Sequence, residues 1–225
     1  MLALSLYGAY QTDVASALAQ TYLGTRTAEN VLTGNIYRGS HDTLDAGIVF
    51  CDVRGFTAMS EKLGAEGVVK VMNDIFQIIE AEIAPRNGEI LKFIGDALLV
   101  VFPRGAEVSD EQVSEQMVQS ALQSVMRVEA LGRQLNLPLS VGFGCHLGSV
   151  LYGNIGTETR LDFTVMGPAV NLTSRLESMC KSLGAQLTVS RDVAQNYGGH
   201  LQSFGVHSVK GVAEPVEIWG VPAST

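Results

Sequence analysis

The chain has 225 residues, with 15 basic and 23 acidic side chains, a formal net charge of −8, and 46% hydrophobic residues. That length suits one ordinary domain with an extension, and the apolar content supplies a substantial core. The acidic balance argues against a nucleic-acid binder, which usually shows a basic face, whereas a few cations in one pocket still suffice for a triphosphate. Residues 1–43 differ in character from the rest: Val14, Leu18 and Tyr22 recur at helical spacing, and a second short helix is expected from Ala28 to Tyr37. Tyr10, Tyr22 and Tyr37 read as a packing stripe without chemistry. The segment is too short for a domain. It reads as a packing arm, or as a helical link to a regulatory domain upstream of a chain that forms the C-terminal part of a longer protein. The start is too polar after Leu6 for a signal peptide. No apolar run reaches the ~18 residues that span a bilayer, so a cytoplasmic chain is expected, whatever attaches a longer parent to a membrane.

From Asp45 the pattern alternates between strand and helix. Ala46 to Cys51 reads as a buried strand that stops at Asp52. Val68, Met72, Ile75, Phe76, Ile79 and Ile83 form a helical stripe, ended by Pro85 and Asn87-Gly88. Glu89 to Ile94 and Ala97 to Phe102 read as strands joined tightly at Gly95-Asp96. Ser109 and Gln112 fit a capping box opening a helix with Met117, Ala121, Leu122, Val125 and Leu131 on one face. Leu139 to Cys145 and Val150 to Ile155 read as two further strands. Gly167-Pro168 opens a helix with Leu172, Leu176, Met179 and Leu183 as its apolar stripe. Short strands and turns follow, ending with Val216 to Trp219. The order β-α-β-β-α-β predicts an α+β fold with a ferredoxin-like βαββαβ core. Cys51, Cys145 and Cys180 are far apart and odd in number, and read as buried thiols in a reducing compartment.

Two carboxylates stand out by position. Asp52 follows an apolar strand, and Asp96 sits in the tight link of a hairpin. In a βαββ sheet the first strand can lie beside that hairpin, which lets the two side chains converge. A convergent Asp pair is a ligand set for hard cations, although most Asp residues near turns merely satisfy the turn. Gly55, Phe56 and Thr57 then lead into a helix, whose first backbone N–H groups suit a polyphosphate.

The run Phe50-Cys51-Asp52-Val53-Arg54-Gly55-Phe56-Thr57 resembles the first metal-binding motif of the class III nucleotidyl cyclases. Lys92-Phe93-Ile94-Gly95-Asp96 resembles the second, Val165 to Leu176 the third, and Val209-Lys210-Gly211 a fourth. They stand in the family's order over roughly residues 45–220, so the resemblance implies a helical segment at 1–43 and a palm-type catalytic domain at 44–225 of bacterial kind. It implies that Asp52 and Asp96 hold two Mg²⁺ or Mn²⁺ ions while the 3′-hydroxyl of the nucleotide attacks its own α-phosphorus. Arg175 matches the transition-state arginine, Asn171 the asparagine that positions the ribose, and Lys210 the lysine for the terminal phosphates; Arg160 aligns loosely as another phosphate ligand.

Base choice rests on Lys92 and Thr164. An ammonium can donate to adenine N1, whereas guanine N1 and N2 are donors and want a carboxylate. ATP-using members carry lysine at the first position and often aspartate at the second; threonine is the version of the bicarbonate-responsive branch. ATP is therefore the expected substrate, with bicarbonate activation a further expectation. The family's site is split between subunits, and both halves are present here, so a homodimer with two shared sites is expected. The alternatives are a guanylate cyclase and a degenerate domain that binds nucleotide or dimerises without turnover. A diguanylate cyclase is disfavoured, because the Gly-Gly-(Asp/Glu)-Glu-Phe signature is absent.

Overall fold

The computed structural model describes residues 2–34 and 37–223, with side chains from Thr12 onward. In chain order the elements are helices α1 (Leu2–Leu23) and α2 (Thr25–Leu32), strand β1 (His41–Arg54), helix α3 (Phe56–Ile83) with a 3₁₀ turn at Ala84–Arg86, and the hairpin β2 (Glu89–Ile94) and β3 (Ala97–Pro103). Helix α4 (Asp110–Leu135), strands β4 (Ser140–Gly156) and β5 (Leu161–Met166), helix α5 (Pro168–Leu183), strand β6 (Ala185–Ser190), helix α6 (Arg191–Asn196) and strands β7 (Gln202–His207) and β8 (Val216–Pro222) complete it. Among the described residues the strands form one eight-stranded sheet in the order β2-β3-β1-β4-β6-β8-β7, with β5 paired to β4. The β2-β3-β1-β4 portion is the strand order of a ferredoxin-like βαββαβ core, as the sequence predicts. The chain divides into two compact units, Thr43–Val150 with Met166–Thr225, and the residues up to Asp42 with Leu151–Val165.

In the larger unit, one face of the sheet is covered by α3 and α4. Val49, Cys51 and Val53 of β1, Leu98, Val100 and Phe102 of β3, and Val141, Phe143 and Cys145 of β4 bury there against Ile75, Ile79, Met117 and Val125. Alternate residues of each strand point the other way. On that opposite face lies α5: the Thr188 hydroxyl of β6 donates to the Leu176 carbonyl at 2.7 Å. Helix α4 starts with the expected capping box, Ser109 Oγ accepting from Gln112 N at 3.3 Å and Gln112 Oε1 from Ser109 N at 3.1 Å.

In the smaller unit, the end of β4 pairs with β5. Asn154 holds the approach to β1: its N–H donates to the Ser40 carbonyl at 2.9 Å and its carbonyl accepts from Gly39 N at 3.1 Å. Tyr152 and Phe163 meet edge to face at 4.5 Å. No described helix is long and apolar enough to cross a membrane.

Four expectations need correction. Strand β1 does not stop at Asp52 but runs to Arg54: Asp52 still pairs with Ala97 of β3, and Val53 N beyond it donates to the Asp96 carbonyl at 3.3 Å. The two strands expected at 139–155 are one strand, β4. The intervening His146 to Ser149 carries no Pro or Asn-Gly that would force a turn, and the His146 ring is tied to Ser190 Oγ at 2.8 Å. The second N-terminal helix covers Thr25–Leu32 rather than Ala28 to Tyr37; residues 35 and 36 of that expectation lie outside the described residues. Tyr22 and Tyr37 are exposed rather than packed, and the Tyr10 side chain lies outside the described ones.

Candidate active site

Strand pairing brings the two candidate metal carboxylates together. Asp52 sits two residues from the end of β1, in register with Ala97 of β3. Asp96 occupies the turn just before Ala97, and its carbonyl accepts from Val53 N at 3.3 Å. Burial pushes the Asp52 carboxyl above its usual range, the charge of Asp96 pushes it further, and Arg54 opposes both. Two carboxylates that repel in this way are favoured by a bound cation. Among the described residues no three His, Cys, Asp or Glu side chains gather into a set that would hold a metal ion alone. Two carboxylates fit Mg²⁺ or Mn²⁺ all the same, since such ions keep several waters and take the rest of their ligands from substrate phosphates.

Beyond β1 the chain turns through Gly55 in the left-handed region at φ 71°, which a glycine adopts without strain. Helix α3 starts at Phe56 with Gly55 as its N-cap and no side-chain cap, so its first N–H groups remain for another acceptor. Phe56 packs against the core and Thr57 is exposed. The helix is broken at Gly64 (φ 69°, ψ 176°), so only its first eight residues form the turn-bearing segment beside Asp52.

Lys92 lies on β2 opposite Leu99, and its neighbour Phe93 packs on Phe76 with ring centroids 5.0 Å apart and the planes tilted by 55°. Asn171 and Arg175 are both exposed on α5, one turn apart, while Leu176, the next residue along, turns to the opposite side and is fully buried. The polar pair is therefore presented outward, as their spacing predicts. Lys210 is exposed in the turn between β7 and β8. In the smaller unit, Thr164 is buried on β5, and Arg160 is exposed in the β4–β5 turn, where its N–H donates to Thr157 Oγ1 at 3.1 Å. The structure thus gathers Asp52, Asp96 and the Gly55 turn.

Two further residues join this cluster. Arg54 Nη2 donates to Glu177 Oε1 at 2.7 Å, and its Nη1 lies 3.6 Å from Asp52 Oδ2. Burial pushes the Glu177 carboxyl up to about 7; Arg54 works against that rise, and Asp52 and Asp96 add to it. Sequence reasoning passed over Glu177, which lies two positions after Arg175. The available signal was on β4, where Gly142 and Gly144 alternate inside a strand, the mark of a close approach by another group.

The pattern of the adenylate and guanylate cyclase catalytic domain matches residues 38–220. The chain belongs to that family. An adenylate cyclase of Anabaena cylindrica is 32% identical over 197 residues, covering 84% of this chain and 39% of the relative. The cyclase domain thus spans well under half the length of that curated relative. A bacterial light-regulated adenylyl cyclase structure superposes with a TM-score of 0.80 at 25% identity, covering 98% of this chain and 65% of that one. A guanylyl cyclase structure gives 0.68 at 34% identity, covering 82% of this chain and 95% of that one.

Proposed function

We propose that this cyclase domain converts ATP to 3′,5′-cyclic AMP and pyrophosphate at two equivalent sites of a homodimer, with residues 44–225 as the catalytic domain, 1–43 as an N-terminal helical segment, and the cytoplasm as its compartment. The observation that carries the reading is the strand register that sets Asp52 beside the Asp96 turn, in a chain that also presents Asn171 and Arg175 from one helix. Asp52 and Asp96 would hold two Mg²⁺ or Mn²⁺ ions, and these would supply a lowered pKa for the 3′-hydroxyl and positive charge for the leaving pyrophosphate.

The remaining work falls to the protein's own side chains. Arg175 places a fixed cation against the charge that grows on the α-phosphate in the transition state. Asn171 hydrogen-bonds the ribose and holds the 3′-hydroxyl in line. The backbone N–H groups of Gly55, Phe56 and Thr57, at the N-terminus of α3, donate to the polyphosphate, with Lys210 on its terminal end and Arg160 as a further contact. Lys92 donates to adenine N1, and the Thr164 hydroxyl accepts from the adenine amino group. Because one chain supplies both halves of the set, the metal carboxylates of one protomer serve with Lys92, Thr164, Asn171, Arg175 and Lys210 of its partner.

The test is product formation by purified protein with ATP and GTP in parallel and Mg²⁺ or Mn²⁺ present. Cyclic AMP from ATP, abolished by Asp96→Ala, is the expected result. Cyclic GMP alone would keep the mechanism and reverse the base assignment, an outcome that the guanylyl cyclase at 34% identity makes the second reading. ATP binding without pyrophosphate release would identify a binding module. From the threonine at position 164 we further propose that bicarbonate activates the enzyme; an activity that stays flat as bicarbonate is raised at fixed pH removes that assignment.

A further inference from the structure

We propose that Glu177 is a positioning residue for cation binding at Asp52: it draws the Arg54 guanidinium toward α5, which leaves the Asp52 carboxylate open to a divalent ion. The proposal rests on the metal reading above.

Asp52 and Arg54 alternate on one face of β1 and so project side by side. A guanidinium free to settle on Asp52 would take both carboxylate oxygens in a two-pronged pair and compete directly with a hard cation. It is instead engaged elsewhere. Nη2 lies 2.7 Å from Glu177 Oε1 and 3.5 Å from the Glu177 carbonyl, against 3.6 Å from Nη1 to Asp52. The Glu177 side chain is 11% exposed and that of Asp52 31%. The more buried carboxylate has the greater need of a partner, because an unpaired buried charge is costly.

The strand next to β1 is shaped for this arrangement. A Cβ at Gly142 would stand 2.0 Å from Arg54 Nη2, so the missing side chain is the slot the guanidinium fills. A Cβ at Gly144 would stand 2.3 Å from the Glu177 backbone nitrogen, so the second missing side chain lets α5 approach close enough to present Glu177. Two side chains absent from one face of β4 thus fix where Arg54 lies, and both would be filled by any other residue.

The measurement is Mn²⁺ binding to the full chain at mildly alkaline pH, read from the paramagnetic resonance of free Mn²⁺, with and without pyrophosphate. Wild type, Asp52→Asn, Glu177→Gln, Arg54→Gln and the double variant Arg54→Gln/Glu177→Gln are compared, each checked for folding by circular dichroism. Glu177→Gln is expected to weaken Mn²⁺ binding roughly tenfold, since it releases one cation onto one carboxylate at close range. In the Arg54→Gln background the same change is expected to have little effect, because the competing cation is gone. Gly142→Ala, which displaces the guanidinium with Glu177 intact, gives the same Arg54-dependent weakening and serves if the glutamine variant does not fold. Asp52-dependent binding that Glu177→Gln leaves unchanged overturns the proposal. So does a weakening that persists without Arg54, which would be the direct pull of the Glu177 charge. A wild-type chain that takes up no Mn²⁺ in either arm overturns the metal reading and this proposal with it.

Discussion

Glu177 carries a carboxyl that burial pushes up to about 7, with Arg54 opposing the rise and Asp52 and Asp96 adding to it. Folded, it keeps its proton to higher pH than the unfolded chain does. Between the ordinary carboxylate range and about 7 the folded state therefore binds more protons, and stability falls as pH rises through that window. Glu177→Gln removes this part of the slope, which urea denaturation at a series of pH values will show; an unaltered slope assigns the effect to other groups. Asp52→Asn is expected to lower kcat by at least ~100-fold, because it removes both a charge and a ligand from the reacting centre. At this scale the sequence was legible where a residue's placement in the fold depends on its own neighbours in the chain. Asp52, Asp96, Asn171 and Arg175 stand in motifs. Glu177 acts through a partner 123 positions away, and only the two glycines of β4 hint at that meeting.

Helix α4 shows how far local chemistry determines an element. Its N-terminus is closed by reciprocal bonds between Ser109 and Gln112, and acidic Asp110 and Glu111 follow in the first turn. Ser109→Ala is expected to cost about 1 kcal/mol in urea-monitored stability with cyclase activity unchanged. Helix α5 likewise begins at Pro168 and ends at Gly184 in the left-handed region. Elements whose limits depend on neighbours were less legible. Strand β1 continues past its apolar run because β3 supplies partners up to Asp52. Strand β4 passes through His146 to Ser149 without breaking. Helix α6, six residues long between β6 and β7, carries no periodic pattern long enough to announce it.

At the scale of the whole molecule, the cyclase reading requires two chains. Asp52→Ala and Arg175→Ala, each inactive alone, are expected to regain activity when mixed, because one of the two sites in a mixed dimer is then intact. No recovery from proven mixed dimers would place each site within one chain. Among the described residues, Val14, Leu18 and Tyr22 leave an exposed apolar stripe on α1. The fold class and the βαββ order were legible because hydrophobic period and turn residues report them directly. The division at Asp42 and Leu151 was not, because Leu151–Val165 groups with the residues up to Asp42, as in the bonds of Asn154 to Gly39 and Ser40, across more than a hundred positions of sequence.

The three cysteines have a practical consequence. Cys51, Cys145 and Cys180 are all buried in the larger unit, and burial is the leading cause that lifts each thiol above its ordinary range. The thiolate is the reactive form, so an alkylating reagent finds nothing to attack until the sheet opens. The rate of modification is then a clock for that opening. ATP with Mn²⁺ should slow it in step with ligand binding, and a reagent that marks all three at one rate will report an opening that exposes β1, β4 and α5 together.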